Sequence, residues 1–396
     1  MKLDDQTFRL TDAGKLGMIA LVIGVIGLVA SGIGFTMDKT QFFHSYLVAF
    51  VFWTTIGLGG LFFTLIHHLL HPIWSVVVRR IFESIMVTLP LMVIFFLPIA
   101  FMGGLSELYH WSHADAVAHD ALLQEKVGYL NVPFFLIRAF AYFAIWAVLA
   151  FLLYRLSLKQ DDKHHPELTG RMMAISAPGM VLFALSITFA SFDWLMSLDP
   201  HWYSTIFGVY VFSGALVSVL ALIILVSLSL RKTGKLKEII TVEHYHDLGK
   251  LMFAFLVFWA YMAYSQYFLI WYGNIPEETV WFAHRWPGSW KMISLGLVLG
   301  HFVIPFVLLM PRKSKRTLPF LGVMAFWMLI FHWVDMYWLV LPNLHHETVH
   351  LSWMDASTLF GIGGIFIWWF WRTLAAHPVI PIDDPKLDES IRFVNH

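Results

Sequence analysis

The sequence predicts an all-α, polytopic membrane protein of about ten transmembrane helices, on three observations. Of its 396 residues, 59% are apolar and only 13% charged, a balance that a water-soluble domain of this size does not keep in solution. Ten continuous apolar runs reach the roughly 20 residues that a spanning helix needs, whereas a transmembrane barrel would show alternating segments of about ten. All but five of the 26 lysines and arginines fall on one side of a ten-span arrangement, as expected of the cytoplasmic face.

The runs lie near 16–37, 42–66, 82–103, 132–155, 172–196, 202–230, 247–272, 290–310, 318–340 and 353–376. In the first, Gly17, Gly24, Gly27 and Gly32, with Ala20 and Ser31 between them, follow the small-x-x-x-small spacing of closely approaching helices. Pro90, Pro98, Pro178 and Pro305 fall inside spans, where a missing backbone donor bends the helix or frees a carbonyl. Only a few residues around Asp199, Pro200 and His201 join the fifth and sixth spans, making them antiparallel neighbours. No strong internal repeat is visible, but the eight central spans have the number for two four-helix bundles plus two additional helices. The N-terminal MKLDDQTFRLTDAGK lacks the basic, apolar, small-residue order of a cleaved leader, so the first span is expected to be retained. The chain reads as one integral membrane domain over 1–396, with both termini cytoplasmic and 377–396 as a cytoplasmic tail.

Composition also excludes some chemistry. Without cysteine, the chain cannot supply thiolates to an iron–sulfur cluster, form a disulfide or attach haem through C-x-x-C-H. Any such centre must sit on a partner. A formal net charge of zero gives no global basic field for nucleic acid. The five exceptional cations are Lys39, Lys126, Arg138, Arg285 and Lys291; the loops on their side, such as ELYHWSHADAVAHD and LPNLHHETVHLSW, read as docking surface for a partner outside the membrane.

An ionisable side chain in hydrocarbon costs roughly 2.5–3.5 kcal/mol on insertion scales, so the few inside spans point to function. Counting about 1.5 Å per residue places Arg138, Asp193, Gln266, His332 and Asp335 together in the outer half of the membrane. His332 and Asp335, three apart in HWVD, share a helical face. Quinol oxidation needs such a set: an imidazole or carboxylate to take a hydroxyl proton, a second polar group, and aromatic walls. Trp194, Trp202, Tyr203, Tyr264, Tyr267, Trp333, Tyr337 and Trp338 are candidates for those walls, or for an interfacial girdle. The competing reading of the charges is that Arg138 merely pairs with Asp193 or Asp335.

A route inward would run from His301, near mid-membrane, past hydroxyls of Thr88, Ser186, Thr188, Ser213 and Ser218 to Glu83, His67, His68, Glu243, His244, His246 and Asp247. Against it, span hydroxyls mostly bond backbone carbonyls and cytoplasmic-end acids are usually solvated. Haem b would need opposed histidines at matching depth, and His301 and His332 differ in depth. His67-His68-x-x-His71 and His345-His346-x-x-x-His350 have metal-like spacing but no acid of fixed geometry beside them. They read as solvated or docking histidines, and no metal site is expected.

Two stretches, SFDWLMSLDPHWYSTIFGVYVFSGALVS from Ser191 and FHWVDMYWLVLP from Phe331, resemble the integral membrane subunits of bacterial alternative complex III. These are NrfD-like, polysulfide-reductase-type proteins, and the compact chain with short ends is more similar to the ActF type than to ActC. The resemblance covers essentially all ten spans. It implies a multi-pass subunit in the bacterial inner membrane, part of a quinol:electron-acceptor oxidoreductase and not catalytic alone. Implied partners are a second NrfD-like subunit, an iron–sulfur protein, c-type cytochromes and, as a further neighbour, a terminal oxidase, with menaquinol as substrate and membrane lipid around it. Asp193, Asp199 and His201 fall in the first matching motif, His332 and Asp335 in the second. A noncatalytic scaffold that anchors the redox subunits and binds lipid is the alternative. A secondary transporter also predicts buried charges, but with broken helices and a repeat symmetry not evident here.

Overall fold

The computed structural model describes residues 8–10, 13–162, 167–232, 234 and 236–395. Lys2, Lys163 and Lys235 of the charge asymmetry lie outside the described residues. Among these residues the regular structure is helical throughout, because each apolar run must satisfy its own backbone in a solvent without hydrogen bonds. Ten helices are long and apolar enough to cross a membrane: Lys15–Met37, Lys39–Leu70, Val76–Phe101, Val132–Asp161, Glu167–Leu198, Phe207–Lys232, Val242–Gly273, Trp290–Leu309, Leu318–Asn343 and Trp353–Ala376. The chain is a multi-pass membrane protein.

The eight central spans form two bundles. Spans two to five each pack on the next, and five closes back on two; spans six to nine do the same, with nine closing on six. Spans two, five, six and nine meet where the bundles join. Since four spans separate equivalent helices, the two bundles run in the same direction.

Spans one and ten pair outside the bundles, against span two. The small-residue spacing explains this contact. A Cβ on Gly27 would lie 2.5 Å from the Gly361 nitrogen, and one on Gly364 2.3 Å from that of Gly24, so two backbones touch where lipid packing alone would hold helices apart. Ser31 Oγ, 3.2 Å from Ser357 Oγ, ties the same seam. Gly32 faces open space and plays no part.

Two of the prolines break their helices. Span three is interrupted at Val87 and Thr88, two residues before Pro90, and the freed Val87 carbonyl accepts the indole N–H of Trp369 from span ten. In span eight, Pro305 has no N–H for the His301 carbonyl, and the preceding Leu297–Val303 forms a π-helical turn. Such turns re-aim side chains and recur at functional sites. Trp327 of span nine satisfies the Gly300 carbonyl there, at 2.7 Å.

We call the end of the molecule that carries both termini the basic end, and the other the far end. The segment after span ten is docked at the basic end: Val379 and Ile380 are buried, Val379 N–H donates to the Phe8 carbonyl, and Asp384 pairs with Arg79.

Candidate functional site

Each bundle carries one fully buried carboxylate towards the far end of its last helix. Asp193 is in span five and Asp335 in span nine, each seven residues before a proline, Pro200 and Pro342. Their surroundings differ in charge.

In the first bundle Arg138 of span four grips Asp193 with two parallel bonds, Nε to Oδ2 at 2.8 Å and Nη2 to Oδ1 at 2.9 Å. The Tyr142 hydroxyl, one turn further along the same helix, donates to Oδ2 at 2.8 Å. The guanidinium also bonds the Tyr129 carbonyl and lies 3.8 Å from that ring's centroid. Charge and hydrogen-bonding capacity are thereby saturated, the arrangement a buried pair requires if it is not to cost stability. The pairing alternative is realised here, with Asp193 and not Asp335.

In the second bundle Asp335 meets no cation among the described residues. Its donors are neutral: the Tyr210 hydroxyl of span six, in close contact with Oδ1, and the Trp259 indole of span seven, 3.0 Å from Oδ2. His301, placed by the π-helical turn, stacks on Trp259 with ring centroids 3.8 Å apart, and neither of its nitrogens has a partner. One turn back along span nine, His332 Nε2 lies 2.9 Å from Thr55 Oγ1 of span two, and its Nδ1 is unpartnered. All four spans of this bundle therefore contribute to one buried polar group.

Closing that bundle at the far end is Arg285, which lies outside the spans and is only 2% exposed. Its guanidinium donates to the carbonyls of Trp338, Trp281 and Leu339 at 3.3, 2.9 and 3.0 Å, capping the last turn of span nine as a cation should. Burial pulls it down to about 9 against the pull of Asp199, so it stays charged at neutral pH. Its face covers Trp281, which stacks on Trp202 at 4.5 Å.

The remaining candidates separate. Gln266 is buried and accepts from Ser204 at 3.3 Å. Asp199 lies in the connection, next to the Pro200 carbonyl that Lys126 bonds at 2.5 Å. His201 is at the surface, paired with Asp120 at 2.5 Å; the His201 contact and two backbone N–H groups hold the Asp120 carboxyl below its ordinary value of 3.8. Of the aromatics, Trp194 packs inside the first bundle against Phe143 and Trp146, whereas Tyr203, Tyr264 and Tyr267 are exposed. They form no common wall.

Glu83, a candidate for the inward route, lies at the basic end and is fully buried. Arg79 Nε at 3.2 Å and Arg80 Nη1 at 3.0 Å clamp it, Asp161 and Asp384 balance the two arginines, and His68 lies 3.8 Å away. His67 and His68 are likewise buried rather than solvated. So is His244, bonded to the Ser390 carbonyl of the docked tail. The proposed relay hydroxyls spend their protons on carbonyls of their own helices: Thr88 on Ile85, Ser186 on Phe183, Ser213 on Tyr210 and Ser218 on Ala215. A small cavity of about 20 Å³ lined by Thr54, Thr55, Leu58, Ile187, Ser191 and Trp194 lies between spans two, five and six, and its exposed surface is apolar, so it offers a water no partners.

Tyr142, Tyr210, Trp259, Thr55 and Arg285 complete these groups and were not among the sequence candidates. Tyr142 had a signal, four residues after Arg138 on the same helical face; the others are joined to the site only by packing between distant spans. Comparison with protein-family profiles gives no match, and no curated protein is significantly similar to the chain.

Proposed function

We propose that the chain is a membrane subunit of a bacterial quinol:electron-acceptor oxidoreductase of the alternative complex III type, in which its second bundle handles protons. The observation that carries this reading is the company of Asp335: a buried carboxyl with neutral donors, beside two imidazoles that keep three ring nitrogens free. Such a group gains or loses a proton without breaking an ion pair, and the unbonded ring nitrogens beside it offer a donor or an acceptor for that proton. Asp193, His301, His332 and Asp335 are all shut off from the bilayer surface, so a lipid-borne quinol does not reach them without helix movement. Proton transfer is therefore the better-supported half of the role, with quinol oxidised closer to partner-borne iron–sulfur and haem c centres.

The polar far-end surface, including His201, Asp120 and the exposed Trp286 and Trp353, suits docking of those partners, and the basic end then faces the cytoplasm. The test is to purify the tagged chain from its native membrane in mild detergent. Co-purification of c-type haem and an iron–sulfur signal with quinol:acceptor activity is expected. Recovery of the chain free of redox subunits would overturn the assignment.

A further inference from the structure

We propose that a groove between the third and fourth spans at the basic end binds one anionic phospholipid. The groove encloses about 440 Å³, within the roughly 300–1,000 Å³ of ligand pockets. It lies where span three breaks at Val87 and Thr88, just before Pro90, and where the lining residue of span four is the small Ala150. Its walls divide by chemistry along the membrane normal. Towards mid-membrane they are apolar, with Val87, Pro90 and Phe151; towards the basic end they carry Arg155 and Lys159.

Arg155 and Lys159 are one helical turn apart on one face, both exposed, and neither has an acidic partner among the described residues. This contrasts with Arg79 and Arg80 close by, whose charges are balanced internally by Glu83, Asp161 and Asp384. The ring of Tyr154, next to Arg155 on the helix, also lines the groove. Two cations without acidic partners at the rim of an apolar slot fit a phosphodiester whose acyl chain lies along the slot. Arg155 is about 10 Å from the end of its helix at 1.5 Å per residue, the depth at which a headgroup meets the hydrocarbon.

The full chain in detergent, with phosphatidylglycerol, phosphatidylcholine or inorganic phosphate added at equal concentration and retention read by native mass spectrometry, tests this. Phosphatidylglycerol is expected to be retained and phosphatidylcholine not. R155Q/K159Q should lower that retention roughly tenfold through loss of two charge-assisted contacts, and R155K/K159R should keep it. Equal retention of the two lipids by the unaltered chain overturns the proposal without recourse to any variant. Displacement of phosphatidylglycerol by equimolar inorganic phosphate overturns it in favour of a free-phosphate site.

Discussion

Asp193 and Asp335 occupy matching places in two bundles that run in the same direction, yet one faces an arginine and the other a tyrosine and an indole. The fold tolerates a carboxylate at this depth by two different means. In the first bundle the charge is cancelled by a fixed partner, so the pair is a structural fastener between spans four and five. In the second no cation among the described residues cancels it, and three nitrogens of the neighbouring imidazoles have no partner. Sequence depth alone puts the two acids in one class; only their company separates a fastener from a proton site.

The sharpest way to break this contrast is to remove the fixed partner. R138Q leaves a buried uncompensated carboxylate and is expected to destabilise the chain by about 3–5 kcal/mol, with R138Q/D193N recovering part of the loss. Thermal unfolding in detergent measures both, and a silent R138Q would show the pair to be ornamental. A milder comparison uses the two hydroxyls. Y142F removes a hydrogen bond to a charged group and should cost about 1.5–3 kcal/mol while leaving the pH profile of turnover in place; Y210F should shift that profile. The smallest effect is at the far-end surface. Because the fold lowers the Asp120 carboxyl, its contribution is full above the ordinary 3.8 and lost as pH falls through the lowered value. Hydrogen exchange of the Ala114–Lys126 segment should therefore rise only below about pH 4, and H201Q should reduce that step, leaving the part due to the two backbone N–H groups.

The spans were legible in the sequence because each is a long local signal, and so was the glycine seam of span one, whose spacing needs only one helix to be seen. The duplicate bundles were not. Their relation lies in which helices touch, and the one shared trace, an aspartate seven residues before a proline in spans five and nine, is too short to stand out unaided. Arg138 and Asp193 were legible as a possible pair from charge and depth. Asp335 was found, but Trp259 and Tyr210, 76 and 125 residues away, were not. Glu83 was legible as a candidate, but its clamp was not, because it depends on Arg79 and Arg80 turning inward and on Asp384, 305 residues from Arg79, arriving with the docked tail. Polar residues at a membrane boundary are solvated by default, and only tertiary counter-charges reverse that.

The division of roles hinges on Asp335, and the most direct test is proton release coupled to quinol turnover in the purified complex carrying D335N or D193N. D335N keeps the size of the side chain and an acceptor for Tyr210, so assembly should persist while turnover falls by about 10²–10⁴-fold, the usual weight of a lost acid–base group. D193N should instead lower the yield of assembled complex and leave the turnover of what assembles close to that of the unaltered protein. An assembled D335N complex with full proton release, or an assembled but inactive D193N complex, would contradict the division of roles between the two bundles.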